Sequence, residues 1–112
     1  MADKPSYKDY LEDTAKVLRE SEVTNKYDVK ILGCNFTVHP NVFSPKYFFD
    51  TEFFARELPF QQNEEFLEIG SGTGVIAVFA ALRGAKHVTA VDINPDAVTN
   101  TIENAHINNM ET

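Results

Sequence analysis

An α/β fold on a parallel sheet is predicted by three features of the chain. Phe66, Leu67 and Ile69 form a short apolar run that ends in a loop with glycines at the alternate positions 70, 72 and 74. Val75, Ile76, Val78, Phe79 and Leu82 follow at helical spacing. A second apolar run, Val88, Ala90 and Val91, then leads into another helix-spaced segment. Strand, helix, strand, helix implies parallel pairing through a right-handed crossover, and hence the first half of a Rossmann-like sheet. The sheet is expected to be incomplete within these residues and to be preceded by a helix and a hairpin. The organisation read from this is residues 1–60 for the helix, hairpin and an aromatic-rich segment, and 61–112 for the half-sheet.

The elements follow in order. Ser6 is placed to cap a helix in which Tyr7, Tyr10, Leu11, Thr14, Val17 and Leu18 share one face. Asn25 to Asp28 breaks that pattern. Val29 to Leu32 and Asn35 to Val38 then flank Gly33-Cys34 as a two-stranded hairpin. Pro40 and Pro45 bracket a loop, and Thr51 opens a short helix carrying Phe53, Phe54 and Leu58, stopped by Pro59. The strand at Phe66 to Ile69 is expected to be buried. The helix after the glycines runs to Arg83, with Gly84 as its left-handed stop. His87 to Val91 forms the next strand, and Asn94 caps a last helix with Pro95 at its first position. Ala97, Val98, Thr101, Ile102 and Ala105 are expected to face inward from that helix.

The glycine loop carries the chemistry. Glycines at a strand-to-helix turn let a ligand approach the backbone closely, and the helix that follows directs unpaired amides and a positive dipole end at it. Asp92 ends the second strand 92 − 74 = 18 positions after the last glycine. That is the distance of an acid that accepts hydrogen bonds from both hydroxyls of a ribose. A pyrophosphate-binding fingerprint would want glycine at position 75, where this chain has Val75. Glu68 would repel a pyrophosphate but attract an ammonium or sulfonium cation, so a cationic nucleoside suits the loop better. Glu68 either meets that ligand or binds loop amides and stiffens the turn.

Glu68 followed by Gly70, Gly72 and Gly74 resembles the first motif of the class I S-adenosylmethionine-dependent methyltransferases. The resemblance spans roughly residues 64 to 110. It implies S-adenosylmethionine as cofactor, with Glu68 and the backbone of Gly70, Ser71, Gly72 and Gly74 at the methionine part, Asp92 at the ribose and Ile93 at the adenine face. Val42-Phe43-Ser44-Pro45 and Asp50-Thr51-Glu52 are similar to the segment that precedes this motif in protein-glutamine and nucleic-acid methyltransferases, and Ser44 and Thr51 are candidates only on that likeness. The family's acceptor-orienting motif, Asn or Asp followed by Pro-Pro and an aromatic, does not occur in the chain. The implied function is methyl transfer to a protein or nucleic acid, with this chain alone inactive. Two other readings stand: a noncatalytic S-adenosylmethionine-binding or assembly module, and a nicotinamide-dependent oxidoreductase. An open strand edge is expected to favour a homodimer or a partner that supplies the remaining strands.

Composition sets limits. The chain has 112 residues, 43% of them hydrophobic, with nine phenylalanines, which is enough for one domain core. Neither an 18-residue apolar run nor a signal peptide is visible, so a soluble cytoplasmic protein is expected. Seventeen acids against ten bases give a net charge of −7, which opposes nonspecific attraction to nucleic-acid phosphates. Cys34 is the single cysteine and is expected to pack beside a strand. His39, His87 and His106 lack metal-ligand spacing, so no metal is expected, and surface or packing roles are assigned to them. Phe43, Phe48, Phe49, Phe53 and Phe54 shape either a pocket or the core, with core favoured.

Overall fold

The computed structural model describes residues 6–9, 11–13, 16, 25–43, 50–59 and 61–112. Residues 7–9, 11–13 and 16 are helical. The Ser6 hydroxyl accepts the Asp9 amide at 3.1 Å, while the Asp9 carboxylate accepts the Ser6 amide at 2.9 Å, so the two residues cap each other reciprocally. Tyr10, Thr14, Val17 and Leu18 of the expected apolar face lie outside the described residues, and Tyr7 and Leu11 of that face are exposed.

Strands β1 (Tyr27–Ile31) and β2 (Cys34–Val38) form an antiparallel hairpin with Ile31 opposite Cys34. The turn is therefore Leu32-Gly33, one residue earlier than expected. Both turn residues have positive φ, 47° and 82°, as a two-residue turn matched to strand twist requires. Leucine is an unusual first residue for such a turn, and that is why the sequence pointed to Gly33-Cys34 instead. Cys34 is a strand residue packed against the core.

Helix α1 (Asp50–Arg56) buries Ala55, while Phe53 and Phe54 stay exposed and stack edge to face on each other, so these two rings are not core. Ser44, Phe48 and Phe49 lie outside the described residues, Phe43 is exposed, and Thr51 is half-buried in the first turn of α1. The core joins hairpin and half-sheet: Ile31, Phe36, Ala55, Val75, Val78 and Phe79 form one buried cluster, with Leu58 packed against it. Phe36 and Phe79 meet with ring centroids 5.8 Å apart at 41°.

Strand β3 (Glu65–Ile69), helix α2 (Val75–Leu82), strand β4 (His87–Val91) and helix α3 (Pro95–Ile107) follow as expected. β3 and β4 are parallel neighbours, with Ile69 level with Val91. Gly84 ends α2 at φ 98°. Helix α2 packs on both strands, on α1 and on α3, while α3 packs chiefly on β2.

Phe66, Glu68, Val88 and Ala90 turn toward the helices and are half-buried. The other face of the two-stranded sheet is bare: Leu67 is 62% and Ile69 80% exposed. β3 was expected to be buried, and only one of its faces is covered among the described residues. Burial of a strand depends on what lies over each face, and that is not encoded in the strand itself.

Candidate functional site

The glycine loop rests on the end of β4. The amides of Gly70 and Ser71 both donate to the Val91 carbonyl, at 2.7 and 3.1 Å, so β4 holds the loop where its own ladder stops. The Gly74 amide closes the turn on the Ser71 carbonyl at 2.9 Å, and the Gly74 carbonyl accepts the first helical bond of α2 from Val78. Asp92 ties the two strand ends together. One of its oxygens accepts the Gly72 amide and the other the Asn94 amide, each at 2.9 Å. These bonds, with Asn94 contributing most and Gly72 next, hold its carboxyl below the usual aspartate range, so it is an anion at neutral pH. Each oxygen retains a lone pair for a further donor.

Glycine serves two purposes in the loop. Among the described residues a side chain at Gly70 or Gly72 would meet nothing within 4 Å, which leaves space above these two residues for a ligand. At Gly74 a Cβ would stand 2.9 Å from the Thr101 backbone, so this glycine lets α3 close against the loop. Thr101 completes that contact, because its hydroxyl donates to the Gly72 carbonyl at 3.1 Å and lies 3.1 Å from the Ser71 hydroxyl. The Ser71 side chain is thus turned into the protein. Only the backbone of Ser71 faces the loop's outer side.

Glu68 reaches from β3 toward the start of α2, where Gly74 stands at the cap position with no side chain to offer. Its carboxylate accepts the Ala77 amide and so serves as the missing cap. The other oxygen, Oε1, is buried without a hydrogen-bond partner among the described residues. Burial raises this carboxyl to about 7, against the Ala77 bond, with a smaller push from the nearby negative charge of Asp92.

Gly70, Asp92 and Ile93, with Ile69 and Val91, line an open cleft across the carboxyl ends of the two strands. The Ile93 side chain is fully exposed there, at 103%. Ligands of open parallel sheets bind at such strand ends. The structure therefore gathers Gly70, Gly72, Asp92 and Ile93 around one space, with Glu68 on the helix side of the loop and Gly74 at its back.

Helix α3 departs from expectation. Ala97 is buried and Thr101 and Ala105 are half-buried, as expected, but Val98 and Ile102, also expected to face inward, are exposed, whereas Asn100 and Asn104 are both 0% exposed. The two asparagines are buried because they face the backbone of β2 and bond to it. The Asn104 side chain also donates to the Thr73 carbonyl in the glycine loop at 2.7 Å. Asparagines at 100, 104 and 108, each four residues from the next, were the available signal, hidden because polar residues read as solvent-facing. Asn94 caps α3 through the Asp96 amide, as expected, and its side chain also donates to the Asn41 carbonyl at 2.8 Å. His39 is buried and paired with Glu103, which also takes Lys26 at 3.1 Å, so this histidine fastens the hairpin to α3.

Residues 53–112 match the family model described as ribosomal protein L11 methyltransferase. A Methanocaldococcus jannaschii protein named as a proposed protein N5-glutamine methyltransferase is 40% identical over 82 residues, covering 73% of this chain and 41% of the relative. A ribosomal protein L11 methyltransferase from a Geobacter strain is 50% identical over 44 residues, covering 39% of this chain and 14% of that protein. The chain thus spans less than half the length of these relatives. Among solved structures, a Pyrococcus abyssi tRNA (uracil-54, C5)-methyltransferase in complex with S-adenosyl-L-homocysteine superposes with a TM-score of 0.65 at 24% identity, over 79% of this chain and 22% of that one. This last likeness is one of fold.

Proposed function

Because the chain belongs to the ribosomal protein L11 methyltransferase family, we propose that its glycine loop binds S-adenosylmethionine and that it serves methyl transfer to a macromolecular acceptor in the cytoplasm. The observation that carries this reading is the left-handed Gly70 and Gly72 with open space above them, beside the anionic Asp92 and the bare Ile93. The backbone of Gly70, Ser71 and Gly72 borders the methionine part, and Gly74 sets the loop's height above α3. Asp92 accepts the ribose hydroxyls with its remaining lone pairs, and Ile93 lies under the adenine ring. Glu68 adds negative charge near the cofactor's cationic end. The cofactor would supply an activated methyl group, and the protein's part would be to orient it toward the acceptor nucleophile. The charge of −7 favours a protein acceptor over a nucleic acid.

The binding half of this reading is tested by calorimetry. S-adenosylhomocysteine or S-adenosylmethionine is expected to bind and reduced nicotinamide dinucleotide is not, and the reverse result overturns the reading. Asp92→Ala removes a charged acceptor of two ribose bonds, and a loss of at least about 1 kcal/mol of binding is expected. Unchanged affinity would take Asp92 out of the site.

A second reading, an assembly module whose remaining strands come from a partner or a second copy, is favoured by the bare sheet face. Leu67, Ile69, Val91 and Ile93 form an apolar surface whose flanking strand edges have no further strand among the described residues, which templates pairing with another chain. Self-association or capture of such a partner is expected, together with cofactor binding but no turnover by the chain alone. Light scattering that shows a stable monomer across micromolar concentrations would count against it. Methyl transfer by the purified chain at about one per second or faster would refute the lack of turnover.

A further inference from the structure

The edge of β2 that faces α3 is paired with a helix. Asn108 donates to the Asn35 carbonyl at 3.0 Å. Asn104 accepts the Thr37 amide at 2.7 Å and donates to the Thr37 carbonyl at 2.8 Å. Asn100 accepts the His39 amide at 2.9 Å and donates to the same Thr37 carbonyl at 2.8 Å. Residues 108, 104 and 100 thus meet 35, 37 and 39, so the helix runs antiparallel to the strand. The match is geometric: four helical residues rise about 6.0 Å and two strand residues about 6.6 Å, so side-chain amides spaced by four keep step with every second strand residue. Three asparagines stand in for a neighbouring strand, which β2 does not have on this side among the described residues.

The middle rung does more than its neighbours. The second amide hydrogen of Asn104 goes to the Thr73 carbonyl at 2.7 Å, between Gly72 and Gly74. With Thr37 already holding its oxygen and its other hydrogen, every donor of this buried amide is used. Asn100 makes no such bond to the loop among the described residues.

We propose that Asn104 is a positioning residue that locks the glycine loop to the β1–β2 hairpin, so that ligand affinity at the loop and docking of the hairpin on α3 are thermodynamically linked. The inference rests on the reading of the loop as a cofactor site. Occupancy of the loop then stabilises β2 through α3, although β2 contributes no residue to the cleft lining. By reciprocity, whatever binds the hairpin tightens the cofactor loop.

Amide hydrogen exchange tests this, with S-adenosylhomocysteine as the probe and Asn100→Ala and Asn104→Ala as the matched variants. Both variants weaken hairpin docking, but Asn104→Ala is expected to speed exchange at the Gly74 amide at least about tenfold more than Asn100→Ala. In the unmodified chain, S-adenosylhomocysteine is expected to slow exchange at Thr37 and His39 by the same factor as at Gly74. Equal effects of the two variants on the loop, or loop protection without any change at Thr37 and His39, overturn the proposal. If Asn104→Ala does not fold, the ligand comparison in the unmodified chain decides. If S-adenosylhomocysteine does not bind, the functional reading falls, and the two variants still decide the coupling.

Discussion

Gly74→Ala is expected to destabilise the fold severely, whereas Gly72→Ala should fold and bind its ligand more weakly. Gly74 sits at φ 84°, and its missing Cβ would press within 2.9 Å of the Thr101 Cα and Cγ2 atoms. A left-handed alanine costs about 1–2 kcal/mol, and forcing a methyl group into packed backbone adds about 1–3 kcal/mol. For a domain of this size, each kcal/mol lowers the melting temperature by about 4–8 °C. Thr101 cannot retreat cheaply, because its hydroxyl holds the Gly72 carbonyl and the buried Asn100 and Asn104 anchor the same stretch of helix to β2.

Gly72 presents the opposite case. Its Cβ would enter open space, so only the left-handed strain of about 1–2 kcal/mol acts on folding. The methyl group would instead occupy the volume proposed for the cofactor, and S-adenosylhomocysteine affinity should fall at least about tenfold, or 1.4 kcal/mol. Thermal melts and calorimetry on both variants separate these effects. A Gly74→Ala protein that melts with the unmodified chain, or a Gly72→Ala protein that binds normally, would show that the loop is built differently.

The parts of this site that depend on local chemistry were legible in the sequence. Ser6, Asn94-Pro95 and Gly84 announce helix ends, because caps are satisfied within a few residues. The alternate glycines and Asp92 announce a tight strand-to-helix turn tied to the end of the next strand, because their spacing is set by one strand-loop-helix unit. The unread parts depend on contacts between distant segments. Leu67 and Ile69 have the composition of buried strand residues, yet burial is decided by whatever covers their face. Asn100 and Asn104 have the composition of surface residues, yet they are buried because an unpaired strand edge 60 or more positions away in sequence needs amide partners. The inward face of α3 was therefore assigned to Ala97, Val98, Thr101, Ile102 and Ala105, of which Ala97 is buried and Thr101 and Ala105 half-buried, while Val98 and Ile102 are exposed.

Glu68 separates its two roles through pH. Its carboxyl lies near 7 because burial outweighs the Ala77 amide bond, so between about pH 4.5 and 7 the folded chain holds a proton that the unfolded chain has released. Stability contributed by this group is therefore present at low pH and lost as pH rises toward 7. Partial exposure of the side chain reduces the effect to about 1–2 kcal/mol. Glu68→Gln keeps an oxygen for the Ala77 amide and has no proton to lose. Relative to the unmodified chain, its stability by denaturant titration should thus gain steadily from pH 5 to 7.5. A stability difference that does not change with pH would mean that Glu68 is not held protonated. Ligand binding pulls the other way, because a sulfonium or ammonium near the loop favours the ionised carboxylate. S-adenosylmethionine affinity should therefore rise with pH up to about 7, by at most about tenfold per unit, and this slope should vanish in Glu68→Gln. S-adenosylhomocysteine, which lacks the sulfonium charge, should show a shallower slope. Equal slopes for the two nucleosides would leave Glu68 as a helix cap that senses only the cofactor's ammonium group, and no slope for either would remove it from cofactor binding.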